Sequence, residues 1–157
     1  MSSYGDHLRE LARRAETDGG RAAAHAMAQE GQAAIRDELG KRSHPRGTVT
    51  PAPPGGPPAR ISGRLQASVI ASMPRQEGFA RWVADAGPRG VVYAGIQNDG
   101  GTIRAHGSYL TFFYGGGWHR VKSVHLPARP YLSPPVERAQ ARIDEAGVRA
   151  FQRVVYG

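Results

Sequence analysis

The sequence predicts an α+β fold: a long N-terminal helix, a small antiparallel sheet of about four strands, and a C-terminal helix packed on the sheet. Three observations carry this expectation. Apolar residues recur at helical spacing in the stretch up to Leu39 and again after Ser133. Between Phe79 and His125 that period gives way to short strand-like runs separated by Gly-rich turns. A tract dense in proline and glycine divides the first helix from the rest. The organisation read from these features is residues 1–39 as the N-terminal helix, 40–60 as a basic Pro/Gly-rich arm and 61–157 as the α+β core with its C-terminal helix, one domain overall.

In the first segment, Leu8, Leu11, Ala12, Ala15, Ala22, Ala26, Met27, Ala34, Ile35 and Leu39 fall close to a 3.6-residue period, with polar residues between them. Thr17-Asp18-Gly19-Gly20 interrupts the pattern. Two adjacent glycines cost roughly 2 kcal/mol relative to alanine, so a kink or break is expected there. The Ala-rich face offers little area to bury, which suits packing on another subunit as well as on the same chain.

Gly40 to Arg60 carries Pro45, Pro51, Pro53, Pro54, Pro57 and Pro58 with Gly47, Gly55 and Gly56. That composition supports neither helix nor sheet, so the segment is expected to be extended and mobile, long enough to reach a neighbouring chain. Ser62 is placed to cap a short helix over Gly63 to Ala71. Strand expectations follow for Phe79 to Ala84, for the apolar run Val91 to Ile96, for Tyr109 to Tyr114 and for Trp118 to Val124. Asn98-Asp99-Gly100-Gly101 is a turn, and Gly115-Gly116-Gly117 a hairpin tip. Ser133-Pro134-Pro135 reads as a helix start. Beyond it Val136, Ala139, Ile143, Ala146, Ala150 and Val154 form one stripe, while Arg138, Arg142, Arg149 and Arg153 share another face.

At 157 residues the chain suffices for one modest core. The hydrophobic fraction is 39%, with 21 Gly and 12 Pro, which points to abundant loop and to segments that order against partners. The absence of cysteine excludes disulfides, thiolate metal sites and a Cys nucleophile. No apolar run reaches the ~20 residues of a membrane span, and Met1 to Glu10 lacks a signal-peptide core, so the chain is expected to be soluble and made in a cytoplasm. A formal charge of +8 predicts attraction to nucleic acid or to acidic protein surfaces. Between Glu38 and Glu77 there is no acid, while Lys41, Arg42, Arg46, Arg60, Arg64 and Arg75 are all basic.

Catalytic chemistry finds little footing. There is no Gly-x-Ser-x-Gly elbow, and the triple glycine is followed by Trp118 where a phosphate-binding loop needs Lys and Ser or Thr. His106, His119 and His125, with Asp99, match no metal-ligand spacing, and Glu77, Asp85 and Asp99 read as turn-forming acids. No catalytic residue, cofactor or metal is therefore expected. Trp82, Tyr109, Phe112, Phe113 and Trp118 lie near Arg-rich segments and are able to stack bases, although a core short of large residues also needs them. The alternative function is accordingly a basic, sequence-independent nucleic-acid-binding protein.

Three segments appear in a recognisable order: Ser-Gly-Arg-Leu-Gln-Ala-Ser at 62–68, Tyr-Ala-Gly-Ile-Gln-Asn-Asp-Gly-Gly at 93–101 and Leu-Pro-Ala-Arg-Pro-Tyr-Leu at 126–132, ahead of the closing helix. In this the chain resembles the tailed-bacteriophage neck and minor tail component family, the head-tail joining or tail-completion proteins. The likeness spans about residues 60 to 157. Tyr131 stands where Phe is commoner, and Gln97-Asn98 stand where the family often has His-Glu. The resemblance implies a non-enzymatic virion structural protein. It would form a homo-oligomeric ring, usually sixfold and sometimes twelvefold, between head-closure or connector proteins and the tail terminator or tail tube, with non-specific contact to phage DNA.

The residues expected to hold the junction between last strand and last helix are Tyr93, Asp99, Gly100, Gly101, Pro127, Arg129, Pro130, Tyr131 and Leu132. Arg129 is expected to pair with a carboxylate such as Asp99 or Asp85, and Tyr93 and Leu132 to lie in the core. Six copies would carry six times +8, a formal +48, which anions or acidic partners must offset. The arm cations Lys41, Arg42, Arg46 and Arg60 are the expected contacts to acidic partner surfaces, the alternative being that they line the lumen and face DNA.

Overall fold

The computed structural model describes residues 3–48 and 50–157; Met1 and Ser2 of the expected helical segment and Val49 of the expected arm lie outside the described residues. The chain is α+β, with a long N-terminal helical run, small antiparallel sheets and a long C-terminal helix. Among the described residues no helix is long and apolar enough to cross a membrane.

The N-terminal run begins at Ser3, whose hydroxyl accepts from the Gly5 N–H at 3.1 Å while the Asp6 carboxylate accepts from the Ser3 N–H at 3.0 Å. Helix α1 (Tyr4–Arg13) passes through a π-helical stretch, Arg14–Gly19, into α2 (Gly20–Gly40). The expected interruption is thus a widened turn inside a continuous helix. Close packing explains the two glycines at its end. A Cβ on Gly19 would stand 2.9 Å from the Phe151 ring, and one on Gly20 2.7 Å from Trp82 Cδ1. The Trp82 indole N–H donates to the Glu16 carbonyl at 3.0 Å, tying the π stretch to the strand region.

The core lies between α2, the C-terminal helix α5 (Ser133–Tyr156) and one strand ladder. Ile35 and Leu39 of α2 meet fully buried Val69 and Tyr131, with Leu65, Ala86, Leu132 and Val136 packed around them. Ala34, Ala139 and Ile143, with Met27, continue the contact between α2 and α5. The Ala-rich face of the first segment therefore covers the chain's own C-terminal helix, where small side chains let the two helices approach closely. Of the predicted α5 stripe Ala139 and Ile143 are buried, while Val136, Ala146, Ala150 and Val154 are half-buried and Gly147 and Val155, one position on, are buried in their place.

Among the described residues eight short strands pair in four two-stranded antiparallel ladders, where about four strands in one sheet were expected. They are β1 (Val69–Ala71) with β4 (Ala86–Pro88), β2 (Arg75–Gly78) with β3 (Arg81–Val83), β5 (Gly101–Arg104) with β8 (Ser123–Leu126), and β6 (Leu110–Tyr114) with β7 (Gly117–Val121). Glycine, proline and turn residues hold every strand to five residues or fewer, too short to build a broad sheet. Gly115 and Gly116, both with positive φ, form the predicted hairpin tip.

Several local expectations are corrected. The run Val91 to Ile96 is a turn leading into helix α4 (Ala94–Asp99), because a short apolar run does not by itself distinguish strand from helix. Helix α3 covers only Arg64–Ser68 and starts from Gly63 in the left-handed region, with β1 taking over at Val69. Ser133 is the first residue of α5 and makes no cap; Pro134 and Pro135 occupy the first turn as expected.

Glu38 is the one buried carboxylate in the described core. It accepts from Lys41 Nζ at 2.7 Å and from the Arg138 guanidinium. Burial pushes its pKa up, yet the bonds and charges of Lys41 and Arg138 outweigh this and hold it below the ordinary 4.5. A lowered folded-state pKa gives stability that is complete above the unfolded value and drains as pH falls through the folded one. Glu38→Gln should cost about 1–3 kcal/mol at pH 7. The gap to wild type should narrow as pH drops below 4.5, which melting temperatures against pH will check.

Candidate functional site

The residues singled out around 93–101 and 126–132 converge on one buried junction. Helix α4 ends at Asp99, and Gly100 turns the chain into β5 with φ +72° and ψ −170°. The Asn98 side-chain oxygen accepts from the backbone N–H of Tyr131 at 3.0 Å and of Leu132 at 3.2 Å, and the Gln97 carbonyl accepts from the Arg129 N–H at 3.0 Å. Tyr131 is fully buried and its hydroxyl donates to the Ala94 carbonyl at 3.1 Å. Burial, with the nearby Asp99 charge, pushes that hydroxyl up to about 12, so it remains a donor at any physiological pH. Pro127 and Pro130 flank Ala128-Arg129 and keep the link extended.

Arg129 is buried, but its partner is not a carboxylate. Its Nε and Nη2 donate to the Ala52 carbonyl at 3.0 and 2.8 Å. Asp85 is bonded instead to Arg75 at 2.6 Å, and Asp99 accepts from the Asn98 amide. Tyr93, in the turn that leads into α4, is exposed, and Leu132 is half-buried. The Arg129 bond also corrects the expectation for the arm. Ala52 and Pro58 are buried, and the Gly55 N–H donates to the Ala128 carbonyl at 3.0 Å. Ser43 and Arg60 form a parallel bridge, with the His44 N–H donating to Arg60 and the Arg60 N–H to Arg42. The 40–60 segment is a loop closed at its base and pinned at its middle, since a guanidinium can satisfy a carbonyl in a stretch that proline keeps out of any sheet.

The four arm cations are not equivalent. Lys41 is committed to Glu38, and Arg60 lies 3.4 Å from the Gln66 side-chain oxygen. Arg42 and Arg46 enter none of the ion pairs among the described residues. The basic face of α5 is engaged as well: Arg138 pairs with Glu38, Arg142 with Glu30 at 3.5 Å and Arg149 with Glu145 at 2.6 Å.

Among the described residues two further apolar surfaces stand largely open, although Leu11 of the first is half-buried. Tyr4, Leu8 and Leu11 fall at i, i+4 and i+7 on α1, a helix with no buried residue; Tyr4 is 79% and Leu8 48% exposed. Between α2 and α5 runs a groove of about 460 Å³ lined by Ala23, Met27, Gly147, Val148, Phe151 and Tyr156 among others. Spacing in the sequence marks the α1 stripe as apolar. Only the fold shows that its N-terminal part, Tyr4 and Leu8, lies open among the described residues.

The histidines do not converge. His119 Nε2 contacts the Tyr114 carbonyl at 2.9 Å and His125 Nδ1 the Thr102 hydroxyl at 3.3 Å. Among the described residues no three His, Asp or Glu side chains are grouped to hold a metal ion. A cleft of about 250 Å³ beside α3 is lined by Ser62, Arg60, Arg64, Tyr93 and Gln97, with no histidine or carboxylate to activate the serine. Comparison with protein-family models, with curated proteins and with solved structures finds no match to this chain.

Proposed function

We propose that the chain is a virion structural protein of a tailed phage: a ring-forming, non-enzymatic neck or tail-completion subunit that joins the head connector to the tail. The observation that carries this reading is the pair of uncovered apolar surfaces on α1 and on the α2–α5 groove. Two different patches on one chain are what a head-to-tail contact needs, and such a contact repeated by rotation closes a ring. The α1 stripe of one copy docks in the groove of the next. The family likeness supplies the setting, and the junction supports it, since the 93–101 and 126–132 segments hold one another through Asn98, Arg129 and Tyr131. The acidic flanks of adjoining rings, with DNA in the lumen, offset the positive charge. Arg42 and Arg46 are the arm cations best suited to meet them.

Leu8→Glu tests the contact, because Leu8 lies outside the core and the subunit should fold unchanged. Sedimentation velocity should show wild type assembling with concentration and the variant remaining a monomer of unaltered melting temperature. Equal assembly by both proteins would remove α1 from the contact.

A further inference from the structure

We infer that one face of the β6–β7 hairpin is a nucleic-acid contact surface, binding through base stacking and phosphate pairing without reading sequence. The inference goes beyond the ring reading and does not rest on it. Side chains alternate across the two strands, and the register places Phe113 opposite Trp118 and Thr111 opposite Arg120 on the same face. Phe113 and Trp118 meet edge to face with centroids 5.6 Å apart, and the Arg120 guanidinium lies over the Tyr109 ring at 6.0 Å. Trp118 is 74% and Phe113 60% exposed. Among the described residues β6 and β7 pack chiefly on each other, and the exposure of the two rings leaves this face open.

The charge around this face identifies the occupant. From Gly100 to Val136 the chain contains no Asp or Glu, while Arg104, Arg120 and Lys122 are exposed along the same ribbon. A second copy of the hairpin would bring like charges together with no acid to separate them. A nucleic acid answers both features, since its phosphates pair with the cations and the flat faces of its bases stack on Trp118 and Phe113. The face presents no Asn, Gln or acid to hydrogen-bond base edges, so stacking should tolerate any sequence. Stacking requires unpaired bases, which makes a single strand the preferred form.

Trp118 is itself the probe, because the other tryptophan, Trp82, is held by Glu16. Titration with a dT oligonucleotide at low salt should quench tryptophan emission, and binding should weaken steadily as salt rises. Trp118→Ala should lower affinity about tenfold or more and abolish the quench, and Arg120→Gln should reduce the salt dependence, both with unchanged melting temperatures. A duplex of equal length should bind more weakly. The inference is overturned if the oligonucleotide does not bind or if Trp118→Ala binds as wild type. Duplex binding as tight as the single strand, or Trp118 emission that changes with protein concentration alone, would overturn it too, the last by showing a self-contact. None of these readouts depends on whether a ring forms, so this inference and the ring reading can fail separately.

Discussion

Gly100→Ala will lower stability by about 4 kcal/mol. Gly100 combines φ +72° with ψ −170°, a region that only glycine occupies without strain. An added Cβ would stand 2.6 Å from the Ala128 nitrogen and 2.8 Å from the Leu126 oxygen, both backbone atoms that cannot rotate away. Strain and overlap add here, each of order 1–3 kcal/mol. Thermal melting should therefore fall by about 10 °C for a chain of this size. Gly95→Ala is the matched control. It lies in α4 with nothing within 4 Å of the added carbon, and should be neutral or slightly stabilising. A drop for Gly100→Ala as small as that of the control would mean that the junction does not need its turn.

Replacing Arg129 will release the middle of the 40–60 loop. Arg129→Met keeps the length of the side chain but removes both bonds to Ala52, leaving a buried carbonyl without a donor. The loss of two charge-assisted bonds and the cost of the orphaned carbonyl together come to about 2–4 kcal/mol. Arg129→Lys should recover only part, because an ammonium cannot present the two-pronged fork. Trypsin will report the change. Arg42 and Arg46 should be cut faster in Arg129→Met than in wild type under native conditions, before any cut in α2 or α5. An unchanged cleavage rate would show that the loop is held by other contacts.

The legible parts of this chain are those where local pattern and final packing agree. The helical period of α5 is plain in the sequence and burial follows it at Ala139 and Ile143, then shifts by one residue to Gly147 and Val155, where α5 meets Met27 and the π-helical stretch. The hairpin tip at Gly115 and Gly116 and the turn at Gly100 were legible because left-handed backbone demands glycine. The run at Val91 to Ile96 misleads, since its length fits a buried strand or one short helix, and only the neighbouring Tyr131 decides in favour of α4. Arg129 was legible as important but not as to its partner. A carbonyl such as that of Ala52 leaves no mark in the sequence, whereas carboxylates do and so draw the expectation toward them. Its proline and glycine content made the 40–60 segment look extended, because the bonds that fold it back, from Arg129 to Ala52 and from Gly55 to Ala128, come from residues far along the chain. The acid-free stretch from Gly100 to Val136 is plain in the sequence. Its meaning depends on the alternation that sets Phe113, Trp118 and Arg120 on one face, which requires the register of β6 and β7.

Closure of a ring through α1 and the α2–α5 groove is open to direct observation. Electron microscopy of the purified chain, with light scattering on the same sample across a concentration series, tests it most directly. Closed rings of six copies of the 16.9 kDa chain, a mass of about 101 kDa, or rings of twelve at twice that mass, are expected. A monomer at every concentration, or a closed dimer without rotational rings, would contradict it.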